Sequence, residues 1–360
     1  MSTFVKNAWY VAAWSSEVGR QLLSRTILGE QVVLYRREDG TPAALVDRCP
    51  HKLAPLSLGE LKGDHVQCGY HGMTFDCSGV CVRVPGQQNI PPTARVRSFP
   101  LIEKYNAVWI WMGDPALADS GAIVDIPHYG DADWGLVDGQ YLHFKSNYLN
   151  ITDNLVDPAH TSYVHKKTIG SAAGENVGVK VEQGDSHVLA YRWIHSAPPV
   201  PLVERMANFR GAVDRWQYYY LHLPSTSYVD FGSIDTGTEP TEANKDRGFR
   251  SFSFNFLTPE TESTTHYFWL HVRNYHPHDA QVSEDVVRLM TLTFDEDAVL
   301  LAYVQREQER TGVREYTRLG IDNAPARIRK MIERLQSKET LSLPVHVLRA
   351  ASDETQSSTS

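Results

Sequence analysis

The chain has 360 residues, 42% hydrophobic and 22% charged, with a formal net charge of −8, the balance of a folded globular protein of two or three ordinary domains. A mild negative charge without any Lys/Arg-rich run excludes nucleic acid as an expected partner. No stretch approaches the roughly 18 uninterrupted apolar residues of a membrane span, and the first residues lack the pattern of a signal peptide, so a cytoplasmic location without membrane contact is expected.

From the N-terminus the pattern is one of short strands. Apolar runs at 32–35 and 43–46 flank Asp39-Gly40, and the run at 108–112 stops at Gly113-Asp114-Pro115, so an all-β domain over 1–120 is expected. Inside it lie Cys49-Pro-His51 and Cys68-Gly-Tyr-His71, each set among glycines and prolines that favour tight loops. Two Cys and two His in this order form the donor set of a Rieske [2Fe–2S] cluster, with two thiolates on one iron and two imidazoles on the other. Neutral imidazoles lower the cluster's negative charge, so it accepts an electron more readily. A structural zinc site also uses Cys and His, but it groups them as Cys-x-x-Cys followed by a His pair. Cys77 and Cys81 fall outside the pattern and are read as small buried side chains rather than ligands or a disulfide.

A segment rich in Asp, Gly and Pro reaches to about Gly139, and a second domain is expected over 140–345. It opens with a helical pattern from Asn147, in which Tyr148, Leu149, Ile151, Leu155 and Val156 share a face. Strand-like runs follow between 176 and 275, notably at 216–220, 251–257 and 267–272, then helices over 283–311 and 324–337. The last ten residues, 351–360, are polar and low in complexity, and a disordered tail is expected over 346–360. The fold class is α+β: an all-β domain, then a sheet with helices packed against it.

A second group of polar residues sits at the end of the first helix, where Asp153, Asn154, Asp157, His160 and His165 are concentrated. Five residues turn a regular helix by about 140°, so His160 and His165 reach one metal only if the helix bends or ends between them, which Pro158, a helix breaker nearby, leads one to expect. Two His and one carboxylate form the facial triad of non-haem Fe(II) oxygenases. On the long C-terminal helix Val287, Met290, Phe294, Asp297, Leu301 and Val304 step by three and four, which places Asp297 on a buried face and turns Asp295 and Glu296 away from it. A buried carboxylate needs a cation or hydrogen-bond donors, and iron would serve.

Taken together, the sequence resembles the oxygenase components of Rieske non-haem iron aromatic-ring hydroxylating systems, in character those that O-demethylate vanillate and dicamba. The resemblance rests on Asn7-Ala8-Trp9-Tyr10-Val11-Ala12-Ala13, the two Cys/His loops, Asn147-Tyr148, Asp153-Asn154-Leu155-x-Asp157, His160-x4-His165 and the segment from Leu257 to Glu262. It implies a catalytic domain of antiparallel sheet gripped by helices, START-like, with Cys49, His51, Cys68 and His71 on the cluster. It also implies His160, His165 and Asp297 on a mononuclear iron, with Asn154 and Asp157 as catalytic neighbours. Asp157 would bridge the centres, accepting hydrogen bonds from His160 of its own subunit and His71 of a neighbour in a homotrimer.

The implied reaction uses O2 and electrons from NAD(P)H, delivered by a separate reductase or ferredoxin; the chain itself has no Gly-x-Gly-x-x-Gly nucleotide fingerprint. The implied substrate is a small aromatic, foremost a methoxylated, vanillate-like acid giving a phenol and formaldehyde. Hydroxylation of another aromatic or heterocycle, a Rieske electron carrier without oxygen chemistry, and a zinc-stabilised binding module are the alternatives. Asp230 and Asn255 fall where related demethylases hold the substrate's polar end, and an Asp–Asn pair would favour a hydroxyl or other donor.

Overall fold

The structure is a computed structural model describing residues 4–239, 241–313 and 316–342; the expected tail at 346–360 and the last residues of the expected second domain lie outside them. Ten short strands come first: β1 (Trp9–Trp14), β2 (Leu23–Ile27), β3 (Glu30–Arg36), β4 (Pro42–Val46), β5 (Glu60–Lys62), β6 (His65–Gln67), β7 (Thr74–Phe75), β8 (Cys81–Arg83), β9 (Leu101–Lys104) and β10 (Ala107–Trp111). They form three antiparallel sheets with orders β1-β10-β9, β2-β3-β4 and β5-β6-β7-β8. The first Cys/His loop leads from β4 to β5 of the last sheet, and the second joins β6 to β7 within it. Cys81 is buried in the core beneath them, Cys77 is half-buried, and neither forms a disulfide.

The second part is built on one seven-stranded antiparallel sheet. Its strands are β11 (Gly135–Phe144), β12 (Lys180–Gln183), β13 (His187–Ala197), β14 (Val213–His222), β15 (Thr226–Asp235), β16 (Phe249–Pro259) and β17 (Thr265–Arg273), in the order β11-β17-β16-β15-β14-β13-β12. Six helices accompany it: α1 (Tyr148–Leu155), α2 (Thr161–Val164), α3 (Pro201–Met206), α4 (Glu242–Arg247), α5 (Ala280–Thr311) and α6 (Asn323–Ser342). The α+β expectation is met. β11 begins inside the segment read as a linker: Gly139, at φ +72°, sits in a bulge between Val137 and Gln140 rather than in a loop.

β16 and β17 are buried along their whole length because both sheet faces are covered. Phe252, Phe254 and Phe256 of β16 pack with Trp9, Trp14, Trp109 and Trp111 of the N-terminal part. On the opposite face, Leu257, Tyr267 and Trp269 pack with Ile151 and Leu155 of α1 and with Met290 and Phe294 of α5. The period-2 alternation of the strands thus gives one face to the N-terminal part and the other to the helices. Helix α6 returns to the beginning of the chain: Ala324, Ile328, Met331 and Ile332 share a core with Phe4, Tyr10 and Val108.

α5 starts at Asp279, whose carboxylate accepts from Gln281 and Val282 N–H, and ends at Gly312 in the left-handed region. Its buried stripe runs Val286, Met290, Phe294, Asp297, Leu301, Gln305 and Gln308. Val287 is only half-buried and Val304 is exposed, so the stripe drifts by one position at each end from the one expected.

Candidate active site and cluster loops

The two Cys/His loops have the same backbone plan. Cys49 N–H donates to Ala54 O at 2.8 Å and Leu53 N–H to Cys49 O at 3.0 Å; Cys68 N–H donates to Met73 O at 2.8 Å and Gly72 N–H to Cys68 O at 3.0 Å. The fourth residue after each Cys has positive φ, +61° at Leu53 and +71° at Gly72. Both thiols are buried and adjacent, while His51 and His71 stand exposed with ring centroids 4.6 Å apart. Burial raises the Cys49 thiol, backbone N–H groups of His51 and Lys52 act the other way, and Cys68 adds to the rise. Two buried thiols that share a site without a disulfide fit cations, which deprotonate them outright. Two sulfurs inside and two imidazoles outside fit the mixed-ligand cluster, not a symmetric zinc site.

The second centre is made where α1 stops. Asn147 caps α1 by accepting from Leu149 N–H at 2.9 Å. Asp157 precedes a proline, which disfavours helical backbone there, and α1 ends at Leu155. The chain restarts as α2, a single turn with His160 and His165 at its two ends. The break thus comes before both histidines rather than between them as expected, and the turn of α2 itself joins His160 to His165, where helical backbone stops. His160 Nε2 and His165 Nε2 lie 3.1 Å apart, and Asp297 Oδ1 is 3.3 Å from His165 Nε2 and 3.7 Å from His160 Nε2. Three donor atoms at right angles on metal bonds of about 2.1 Å would be about 3.0 Å apart. Among the described residues this is the group of His, Cys, Asp and Glu that converges tightly enough to hold one ion. The donor set fits a non-haem iron with open positions on one side.

Neighbouring groups orient the ligands. His160 Nδ1 is 2.5 Å from the backbone carbonyl of Asp157, and His165 Nδ1 is 2.9 Å from Glu296 Oε2. Asn154 Nδ2 donates to Asp297 Oδ1 at 3.0 Å. Glu296 was expected to face away from the site and does not. It also accepts from Thr168 Oγ1 at 3.2 Å, because the loop after α2 folds along the flank of α5. The Asp157 carboxylate accepts from Ala159 N–H at 2.7 Å, so its contact with His160 runs through the main chain rather than through the carboxylate expected. Burial holds His160 below the usual imidazole range; it opposes the charge of His165 too, but hydrogen bonds and charge from Asp297 and then Glu296 carry that group above it.

The triad lies in the wall of a cavity whose other walls include Ile194, Val229, Phe231 and Phe294. Asn255 lines it, with Oδ1 accepting from Tyr267 Oη at 2.9 Å. Asp230 does not. Val229 and Phe231 line the cavity, so Asp230 points to the other face of β15. There it is bound by Arg250 at 2.6 and 3.1 Å, with Lys245 at 3.6 Å and Trp216 Nε1 donating at 2.8 Å. The assignment of Asp230 to substrate is therefore corrected: its charge is already neutralised in the fold. Arg215, which no sequence pattern singled out, is in the wall instead.

Comparison with known proteins agrees with both centres. Residues 8–100 match the Rieske [2Fe-2S] domain, and residues 144–338 match the vanillate O-demethylase oxygenase C-terminal domain. The chain belongs to the Rieske non-haem iron oxygenases. It is 39% identical over 347 residues to the oxygenase component of dicamba O-demethylase from Stenotrophomonas maltophilia, covering 94% of this chain and 99% of the other. It is 38% identical over 303 residues to the toluene-4-sulfonate monooxygenase system iron-sulfur subunit of Comamonas testosteroni, covering 83% and 87%. The crystal structure of dicamba monooxygenase bound to 3,6-dichlorosalicylic acid aligns with a TM-score of 0.85 at 37% identity, over 94% of this chain and 99% of that one. The protein is thus the oxygenase component of a Rieske monooxygenase system. Among the described residues of this oxygenase no helix is long and apolar enough to cross a membrane.

Proposed function

We propose that this oxygenase is the terminal component of a system that O-demethylates a methoxylated aromatic, foremost a vanillate-like acid, to a phenol and formaldehyde. The observation that carries this reading is the His160–His165–Asp297 triad in the wall of a largely apolar cavity. Iron bound by the triad supplies activation of O2 for attack on a C–H bond. The chain's own part is to hold the ring over that metal and keep water away, through Ile194, Phe231 and Phe294. Asn154 and Glu296 fix the ligands' orientation, and Asn255 offers a polar contact to the substrate.

Electrons from NAD(P)H would arrive through a separate reductase or ferredoxin. His51 and His71 are exposed on the cluster loops, as are Leu53 and Tyr70 of the same two loops, which suits contact with another protein surface. In a homotrimer that surface would be the neighbour's Asp157, half-buried beside the iron ligands. The decisive experiment supplies NADH and a compatible reductase to the purified protein and measures O2 uptake over methoxylated, methylated and carboxylated aromatics, with formaldehyde assayed. Stoichiometric formaldehyde from a methoxylated substrate is expected. Hydroxylated product without formaldehyde would replace demethylation by ring or methyl hydroxylation, and iron at about two rather than three per chain would remove the oxygenase reading.

A further inference from the structure

The cavity contains a charge that the fold leaves uncompensated. Arg215, on β14, is 5% exposed and lines the cavity. One amino group donates to Ser171 Oγ at 2.8 Å, while its Nε has no partner. No carboxylate of the described residues is within ion-pair distance of it. The nearest charged group acting on it is Arg192, also buried, whose own bonds go to the neutral atoms Gly174 O, Pro158 O, Gln217 Oε1 and Thr161 Oγ1. Burial, and then the like charge of Arg192, pull Arg215 down to about 10, whereas Arg192 has the carboxylate of Asp157 acting in its favour. Arginine on the other face of the sheet is treated differently: Arg250 is matched by Asp230, Glu242 and Asp246.

A polar atom beside Arg215 is also unpaired. Ser233 sits directly opposite it on β15, and its hydroxyl lines the cavity without a partner. Position along the strand completes the geometry. Tyr219, four residues on from Arg215 in an uninterrupted register, faces the metal end, where Asp297 and Asp157 act on it. Four residues of strand span roughly 14 Å. A ring held between them would have its reacting group at the triad and the opposite substituent at Arg215.

Resting on the aromatic-substrate reading above, we propose that Arg215, with Ser233, is the subsite for an anionic oxygen group, a carboxylate or sulfonate, on the ring end remote from the metal. This replaces the expectation of a hydroxyl or other donor there, since Asp230 is turned away. Arg215 is a specificity-determining residue in this arrangement, and its counter-ion arrives with the substrate.

Binding tests it without turnover. Iron-loaded full-length oxygenase is titrated under anaerobic conditions with 4-methoxybenzoate, 4-toluenesulfonate and neutral 4-methoxybenzamide. The wild type is expected to bind at least one anion more tightly than the amide. Arg215→Gln is expected to lose roughly ten- to hundredfold in affinity for that anion, with less than a threefold change for the amide, and Arg215→Lys to recover part of the loss. Tighter binding of the carboxylate or of the sulfonate identifies which anion the subsite prefers. Equal affinity of wild type for amide and anions overturns the proposal even if Arg215→Gln fails to fold. So does an anion affinity unchanged in Arg215→Gln. If none of the three binds, the aromatic reading falls with it, whereas amide binding without anion preference removes the subsite alone.

Discussion

His165 Nδ1 stands 2.9 Å from Glu296 Oε2, so the residue immediately before the candidate ligand Asp297 holds the other side of a candidate ligand ring. One turn of α5 thereby sends two adjacent carboxylates to one imidazole: Asp297 toward Nε2, Glu296 toward Nδ1. The carboxylate fixes the tautomer that leaves Nε2 free for metal and raises its basicity. Glu296→Ala is expected to weaken iron retention ten- to hundredfold, in the range typical for such outer partners. Competition with a chelator, read as iron per chain, checks this, and the visible spectrum of the cluster should not change.

Asn154→Ala removes the N–H that Asp297 Oδ1 accepts at 3.0 Å. Without it the carboxylate is free to rotate, and the triad loses its set spacing. Turnover is expected to fall about tenfold or more, with iron content reduced less than in Glu296→Ala because His165 keeps its partner. Steady-state O2 uptake beside an iron assay separates the two.

How far these sites could be read in advance depended on local geometry. Asp297 was legible because helical period forces it into the apolar stripe of α5, whereas the break expected between His160 and His165 falls before both, at Pro158, and the single turn of α2 brings their rings together. Glu296 was not, since the same period turns it outward; only the loop carrying Thr168, brought alongside by tertiary packing, gives it a role. Asp230 was misplaced because both faces of this sheet are covered, so a polar residue in a strand does not reveal which side it serves. A lone Arg in a strand carries no motif, and Arg215 gained meaning only when its missing counter-ion could be seen. The cluster loops were legible since their chemistry is contiguous in sequence.

Those loops differ in one respect that makes a prediction. Gly72, at φ +71°, would place a Cβ 2.9 Å from Pro85 Cγ. Gly72→Ala meets both the left-handed penalty of about 1–2 kcal/mol and that contact, so the cluster is expected to be lost at lower temperature. Leu53 already bears a side chain at φ +61° and is largely exposed. Leu53→Gly relieves strain while removing little buried surface, so its effect is expected to be small. Loss of the cluster's visible absorbance on heating checks the asymmetry.

Acid sensitivity has an identifiable source. Burial, then Arg273, pulls His271 down to about 3, and burial, then His187, pulls His222 down to about 4. Unfolded imidazole titrates near 6.5. Below that pH the unfolded chain takes up protons that the folded chain refuses, so stability is full above about 6.5 and falls as pH drops toward 4 for His222 and 3 for His271. His271→Leu removes one such proton. Its unfolding free energy between pH 6 and 4 is expected to fall less steeply than that of wild type, by up to about 1.4 kcal/mol per pH unit. Urea unfolding at fixed pH steps measures the difference.

Asp157 provides the sharpest separation of binding from electron delivery. Because its contact with His160 is made by the backbone carbonyl, replacing the side chain leaves that hydrogen bond available. Asp157→Asn is therefore expected to retain the iron and the cluster. What it removes is the half-buried carboxylate proposed to accept from the neighbouring subunit's cluster histidine. Reoxidation of the reduced cluster in the presence of substrate and O2 is then expected to slow by at least tenfold in single turnover, while iron per chain and the oxidised spectrum match wild type. Near-normal reoxidation would remove Asp157 from the path. Loss of iron would instead make it a support for His160.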